Sequence, residues 1–412
     1  MLTLKHSARG LRPGEYENLP TEEKLRFNRF ILCHNTLSEH VEKKPAKRNT
    51  LDETTRIVGS FEYVITTDLT DSFWQRHIAP EKLPFMAFHS PFRGSYIFLR
   101  STQGLINQSE ELEELVSVVL KDSIMSGWCR VLADNIYVLG HTYDETVEHW
   151  QIVLKLLAAN NLKISPKKTA CFPEKLDLLG WTKQGKQLIP DPHRQNTLAA
   201  AALPLTVKQL RSYLGGYRQF YRCKKNMSHI LKDLELFVAD KKSSEKLTWT
   251  AHLKLKFEQS KQEIKELDSL YLPRPEDQLV ITSDWSKDGI SATLWAIPEG
   301  DSHKIVSRFS AKLEKSMENL LNIETRPKTL PCDGEMSAVY VAVKSPTFSS
   351  HIRASTKRTV SLVDNKPVVQ AAGLLKRGKF SSSRVINNLM TAISEHNIEF
   401  QHISGKLGQN FA

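Results

Sequence analysis

From Phe61 to Trp181, short apolar runs of period two alternate with longer stretches of period three to four, which predicts a sheet covered by helices. "YVITTDLTDSFWQ" begins as an alternating strand. "CRVLADNIYVLGHT" reads as strand, polar turn and strand, with Asp134-Asn135 at the tip, because Asx residues tolerate turn dihedrals. "SEELEELVSVVLKDSIM" and "DETVEHWQIVLKLLAANN" carry apolar residues at i, i+3, i+4 and i+7, so each is expected to lay one helical face on the sheet. "KQGKQLIPDPHRQ" has the Gly, Pro and polar content of a turn and exit segment. A helical, basic region follows in "TVKQLRSYLGGYRQFYRCKKN" and "HLKLKFEQSKQEIKEL". "LPRPEDQ" at 272–278 reads as a linker, and "LVITSDWSKDGISATLWAI" then opens a new body as a hairpin of buried strands. The charged first 60 residues end in the basic "VEKKPAKRNT" and cannot form a core by themselves. The pattern predicts two α/β bodies joined by a helical connector.

A length of 412 residues fits roughly two to four domains. With 40% hydrophobic and 25% charged residues the composition is that of an ordinary globular protein. No apolar run approaches the ~18–20 residues of a membrane span, and the N-terminus lacks the apolar core of a signal peptide. No membrane partner is therefore expected. The formal net charge of +11 favours polyanionic partners, nucleic acid above all, although a solvated basic surface would read the same. The five cysteines are odd in number, dispersed and without a CxxC pair. That argues against a disulfide framework or zinc site and for a reducing intracellular compartment, cytoplasm or nucleus.

Two groups of acids change the picture. Asp68 directly follows an alternating strand, and Asp134 sits in a later hairpin turn. Either alone is an ordinary strand-end cap or turn residue. Together they are what two-metal phosphoryl transfer needs, since carboxylates must hold paired cations about 3.5–4 Å apart. Further on, Asp284 ends a strand, Glu335 opens an amphipathic helix and Asp364 ends another strand, with Asp333 expected as a helix cap.

In this order the segments resemble the reverse transcriptase plus ribonuclease H region of retroelement polyproteins, most like those of Ty3-type long-terminal-repeat elements, from about Arg26 onward. The resemblance implies a fold of α/β and α+β character: a fingers-palm-thumb body, a helical connector and a ribonuclease H-like domain. Fingers are expected at 1–60, palm with the remaining fingers at 61–190, thumb and connection at 191–271, and a ribonuclease H-like domain at 272–412. "TTDLTDSFWQ" resembles the first catalytic strand, with Asp68 a metal ligand. "VLADNIYVLG" stands where the family has two aspartates, which implies a catalytic role for Asp134 and for Asn135. "GSYIFLRSTQGLINQ" is similar to the template- and nucleotide-contacting segment through Gln103-Gly104. Phe73 falls at the aromatic steric gate, where a core Phe would read alike. Arg29 falls at the finger arginine that meets the triphosphate, and Lys168 at the lysine that assists pyrophosphate departure; an exposed charge fits either position as well. "LKISPKKTACF" and "DLLGWTKQGKQLIPDP" resemble the segments that end the palm and grip the primer. "LTVKQLRSYLGGYRQFYR" resembles the thumb helix, where Tyr213, Tyr217 and Tyr221 among Arg211, Arg218 and Arg222 suit phosphate-backbone contact, part of the aromatic stripe being core.

Strand acid, helix acid, strand acid is also the ribonuclease H arrangement, which makes Asp284, Glu335 and Asp364 the implied metal ligands. "HISGKLGQNFA" is similar to the family's final segment, with His402 either the histidine that assists turnover or a structural one. The family's fourth aspartate would come just after Ala412, so the domain is expected to be truncated there. The implied cofactors are Mg²⁺ or Mn²⁺, two ions per active site. The implied partners are RNA template, DNA primer, RNA–DNA hybrid and dNTPs.

The departures are concentrated on polymerisation. Asn135 replaces the second aspartate and brings no charge to offset two dications. Cys33, Asn35 and Ser38 stand where Asp, Arg and Asn are usual; Thr102 replaces Pro, and Gln108-Ser109 replace a small residue and Pro. The expected function is a reverse transcriptase/ribonuclease H fragment whose polymerase site is impaired by Asn135. The alternatives are a catalytically inactive, relic or host-recruited nucleic-acid-binding protein, or one that keeps ribonuclease H activity alone.

Overall fold

The computed structural model describes residues 2–4, 20, 28–30, 35–44, 51–90, 94–102, 104–178, 180–224, 227–286, 289–311 and 331–404. The chain divides into two compact units, Met1–Thr50 with Phe61–Pro173, and Leu51–Ser60 with Glu174–Ala412. Neither of the expected cuts at 190/191 and 271/272 coincides with the division after Pro173. The helix α1 (Leu51–Ser60), expected with the fingers, belongs to the second unit. Its Ile57 and Val58 are buried, Gly59 lies against Leu272, and the Lys186 ammonium donates to the Gly59 carbonyl at 3.0 Å.

In the first unit, β1 (Leu2–Leu4) and β2 (Asn28–Phe30) form a small antiparallel pair. The central sheet is built from β3 (Tyr63–Asp68), β6 (Cys129–Leu132), β7 (Asn135–Gly140) and β8 (Ala170–Cys171) in the order β6-β7-β3-β8, and β4 (Ala87–Ser90) and β5 (Gly94–Ile97) form a separate hairpin. The two amphipathic patterns are helices, α2 (Gln108–Val119) and α3 (Tyr143–Ala159). Their Leu112, Val116, Val153 and Leu157 pack with Ile65, Val131, Ile136 and Val138 of the sheet into one buried core. Helix α3 starts where the sequence supplies a capping box, Thr142 accepting from the Glu145 N–H while Glu145 turns back to the Thr142 N–H.

The second unit opens with a four-stranded antiparallel sheet, order β12-β11-β10-β9: β9 (Lys175–Asp177), β10 (Trp181–Gln184), β11 (Gln187–Pro190) and β12 (Leu270–Tyr271). The stretch expected as a turn and exit is thus a hairpin, turning at Gly185 with φ +56°, followed by a helix Pro192–Ala199 that Asp191 caps. The strand β11 escapes detection because it has four residues and its outer partner, β12, lies far along the chain. Helices α4 (Val207–Arg218), α5 (Met227–Val238) and α6 (Ala251–Glu263) share a core of Leu210, Leu214, Tyr217, Leu231, Leu234 and Phe257. The expected linker 272–278 is a fixed turn: buried Asp277 accepts from the Arg274 N–H at 2.8 Å and the Tyr271 hydroxyl at 3.0 Å.

A five-stranded sheet, order β15-β14-β13-β16-β17, completes this unit. Strands β13 (Gln278–Ser286), β14 (Gly289–Ile297) and β15 (Lys304–Ala311) form an antiparallel meander. β16 (Thr359–Val363) runs parallel to β13, and β17 (Ile398–His402) parallel to β16. Helices α7 (Pro331–Lys344), α8 (Pro346–Ala354), α9 (Lys366–Lys376) and α10 (Arg384–Ala392) bury Met336, Val339, Phe348, Val368 and Ile386 against Ile281, Leu294 and Val363. Among the described residues no helix is long and apolar enough to cross a membrane.

Candidate active sites

The first site lies at the end of β3. Antiparallel register sets Asp68 opposite Asn135, the first residue of β7. The hairpin tip is Ala133-Asp134, one residue earlier than the sequence implies, with Ala133 at φ +56° and its N–H donating to Glu113 Oε2 at 3.2 Å. Glu113 is buried on the apolar face of α2 beside Leu112. An acid on the buried face of an amphipathic helix is a signal that the sequence offered and that was not used.

Asp68 is 9% exposed. Its Oδ2 is paired with the Lys168 ammonium, and its Oδ1 is buried without a hydrogen-bond partner. Burial, and then the charge of Asp68, hold the Asp134 carboxyl above its ordinary range. The Asn135 amide donates to Asp134 Oδ1 at 3.5 Å, a marginal contact. Lys168, expected at a departing pyrophosphate, is therefore paired with the Asp68 carboxylate. Phe73, expected as a steric gate, packs against the core under the sheet. Gly104 has φ +100°, a left-handed turn that suits glycine. Gln103 and Cys33 lie outside the described residues. Arg29 is on β2 opposite Thr3. At the departures, Thr102 is buried, and Gln108 accepts from the Ser101 hydroxyl and from Arg76 at 3.3 Å, so this loop is tied by its own residues.

Part of the thumb stripe is core, as expected. Tyr213 and Tyr217 are buried, their hydroxyls meeting Ser260 Oγ at 2.8 Å and the Ser260 carbonyl at 2.9 Å, and the Tyr221 hydroxyl donates to Glu235 at 3.2 Å. The Arg211 guanidinium donates to the carbonyls of Val238 at 2.7 Å and Lys241 at 2.8 Å, closing the end of α5. Arg218 pairs with Glu235 at 2.9 Å, and Arg222 donates to Ser307 at 3.3 Å and lies 5.8 Å from the Trp181 ring centroid. These side chains hold the thumb together. A one-helix reading misses this because the partners come from other helices.

The second site is assembled around the centre of the five-stranded sheet. Asp284 is near the end of β13, opposite Ser291, and Asp364 directly follows the parallel strand β16. Glu335 is carried by α7, and Gly334 beside it allows the helix to approach: a Cβ at Gly334 would overlap the Trp285 indole. Glu335 Oε2 is buried with no hydrogen-bond partner. Burial first, then Asp364 and Asp284, push its carboxyl up to about 8. The three acids therefore sense one another, although among the described residues no three His, Cys, Asp or Glu side chains stand close enough to hold a metal ion as they are. Asp333 is not a cap: it is buried and accepts from the Ser383 hydroxyl at 2.7 Å. His402 ends β17 in register with Val363, one residue before Asp364. A glycine next to an acid inside a helix was the available signal for the Gly334–Trp285 approach.

An RNase H-like domain found in reverse transcriptase matches residues 249–330. The retrovirus-related Pol polyprotein from transposon opus of Drosophila melanogaster is 26% identical over 282 residues, 66% of this chain and 28% of that polyprotein. The Pol polyprotein from transposon gypsy of the same fly is 28% identical over 165 residues, 40% of this chain and 16% of that one. Among solved structures, a foamy viral protease-reverse transcriptase in complex with double-stranded DNA superposes with a TM-score of 0.71 at 18% identity, over 92% of this chain and 63% of that one. A second, in complex with RNA/DNA hybrid, gives 0.64 over 92% of this chain and 49% of that one. The chain thus spans less than half the length of the curated polyproteins it matches. The fold is that of a reverse transcriptase with a ribonuclease H-like domain. The chain is related to the corresponding region of retroelement Pol polyproteins, and its relatives support a Ty3/gypsy-like lineage.

Proposed function

We propose that the chain hydrolyses the RNA strand of RNA–DNA hybrids at Asp284, Glu335 and Asp364, and that its polymerase site is impaired at Asn135. The observation that carries this reading is Glu335, whose inward oxygen has no donor and whose carboxyl is pushed up to about 8 by burial and two neighbouring acids. Three acids that sense one another in this way fit Mg²⁺ or Mn²⁺ once their side chains draw closer than they stand here. When bound, two such ions polarise the scissile phosphate and lower the pKa of water. The protein's part is to supply the charge that holds them, with Glu335 oriented by the Gly334–Trp285 approach, and His402 would assist turnover. The template RNA, DNA primer and dNTPs implied by the resemblance would meet Arg29, Phe73, Gln103 and Gly104 in the first unit. The setting is intracellular.

The test is cleavage of a labelled hybrid with Mg²⁺ or Mn²⁺ beside primer extension with dNTPs. Hybrid cleavage that is lost in Asp284→Asn, Glu335→Gln and Asp364→Asn, with extension absent or very weak, is the expected result. Cleavage that persists in Asp284→Asn would place the activity elsewhere. The ion pair of Lys168 with Asp68 favours a second reading, a catalytically silent nucleic-acid-binding protein; hybrid binding without cleavage would establish it.

A further inference from the structure

We propose that Lys168 has taken over the cation position at Asp68, so that the first carboxylate site is neutralised by the chain itself and does not take a divalent metal. This rests on reading Asp68 and Asp134 as a polymerase pair by descent, and it assigns to Lys168 a positioning role that excludes metal.

The lysine is presented to Asp68 by a stapled segment. The Ser165 N–H donates to the Asp68 carbonyl at 2.8 Å, and the Thr70 N–H to the Lys163 carbonyl at 2.9 Å. The Thr70 hydroxyl donates to the Ile164 carbonyl at 2.8 Å, and the Thr67 and Thr169 hydroxyls meet at 2.7 Å. Gln75 closes the far side, accepting from the Lys163 N–H at 2.6 Å and donating to the Lys163 carbonyl at 2.8 Å. Lys168 itself ends the 3₁₀ turn Pro166–Lys168. The ammonium therefore extends from a backbone fixed on both sides of the strand end.

The charges point the same way. Two dications require several negative ligands. This site offers Asp68 and Asp134, the amide of Asn135 supplies none, and Lys168 cancels one of the two. Asp68 Oδ1, the one carboxylate oxygen of that residue outside the ion pair, is buried. The Lys168 charge is also felt at Asp134, where it partly offsets the effects of burial and of Asp68. The stem of Lys168 stays largely in solvent, its side chain being 66% exposed, so replacement leaves the core intact.

The experiment uses the full chain carrying Glu335→Gln and Asp364→Asn, which disables the second site, and reads free Mn²⁺ by electron paramagnetic resonance. The expected result is negligible Mn²⁺ binding by this background, an increase in affinity of about tenfold or more on adding Lys168→Gln, since a point charge leaves the site, and loss of that gain on adding Asp68→Asn. Equal Mn²⁺ affinity with and without Lys168→Gln, whether tight or absent, overturns the proposal. Denaturant unfolding gives an independent readout: Asp68→Asn and Lys168→Gln should be non-additive, and strict additivity means that the pair does not interact. Hybrid cleavage by the unmodified chain is measured separately, so failure at the ribonuclease H-like site leaves this result intact.

Discussion

Gly334 and His351 show how single positions decide this molecule's chemistry and stability. In an exposed helix Gly334→Ala would gain about 1 kcal/mol of propensity. Here the new Cβ meets the Trp285 indole, and overpacking costs about 1–3 kcal/mol. The clash wins, so Gly334→Ala should lower the unfolding midpoint and reduce hybrid cleavage together, as Glu335 is displaced from Asp284. His351 is buried, and desolvation, followed by the charges of Arg222 and Arg56, pushes its imidazole down to about 3. An unfolded chain takes up that proton below about 6.5, whereas the folded one does not until about 3. This contribution to stability is complete above the unfolded value and is lost as pH falls through that window, with a slope of at most about 1.4 kcal/mol per pH unit. Urea unfolding between pH 7 and 5 should therefore show a steep decline that His351→Gln flattens. At the first site, Asn135→Asp alone should give little primer extension, because the new carboxylate leaves Lys168 on Asp68; Asn135→Asp combined with Lys168→Gln should give more.

At the scale of elements, the three thumb helices are joined by polar groups that the sequence presents as a basic face. The Tyr217 hydroxyl donates to the Ser260 carbonyl, so Tyr217→Phe should cost about 1 kcal/mol, the net worth of one buried hydrogen bond. Arg211 closes the end of α5 through the Val238, Ala239 and Lys241 carbonyls. Arg211→Ala should therefore destabilise by about 1–2 kcal/mol while leaving the salt dependence of hybrid binding unchanged. A shallower salt slope in that variant would instead show that Arg211 contacts phosphate.

For the whole molecule, the formal charge of +11 favours a polyanion even with the thumb arginines engaged internally. Hybrid affinity should fall linearly in log–log plots against salt, on the order of a thousandfold between roughly 50 and 200 mM if about six phosphates are neutralised. Salt-independent binding in a titration would contradict an electrostatic interface.

Periodicity sufficed for α2 and α3 and for the hairpins β6–β7 and β13–β14, because these depend on neighbours three or four positions apart or on adjacent strands. The strand β11, the cut after Pro173 and the allegiance of α1 were not legible, since each depends on partners far along the chain. The candidate site residues were named by type and order through the resemblance. What only the tertiary structure decided is their company: Lys168 is a hundred residues from Asp68 and reaches it through the pairing of 163–171 with β3. Likewise Asp284, Glu335 and Asp364 come together only because β16 pairs in parallel with β13 and Gly334 lets α7 lie close. Local sequence sets the preferences of each segment, whereas charge partnership across a sheet is a property of the fold.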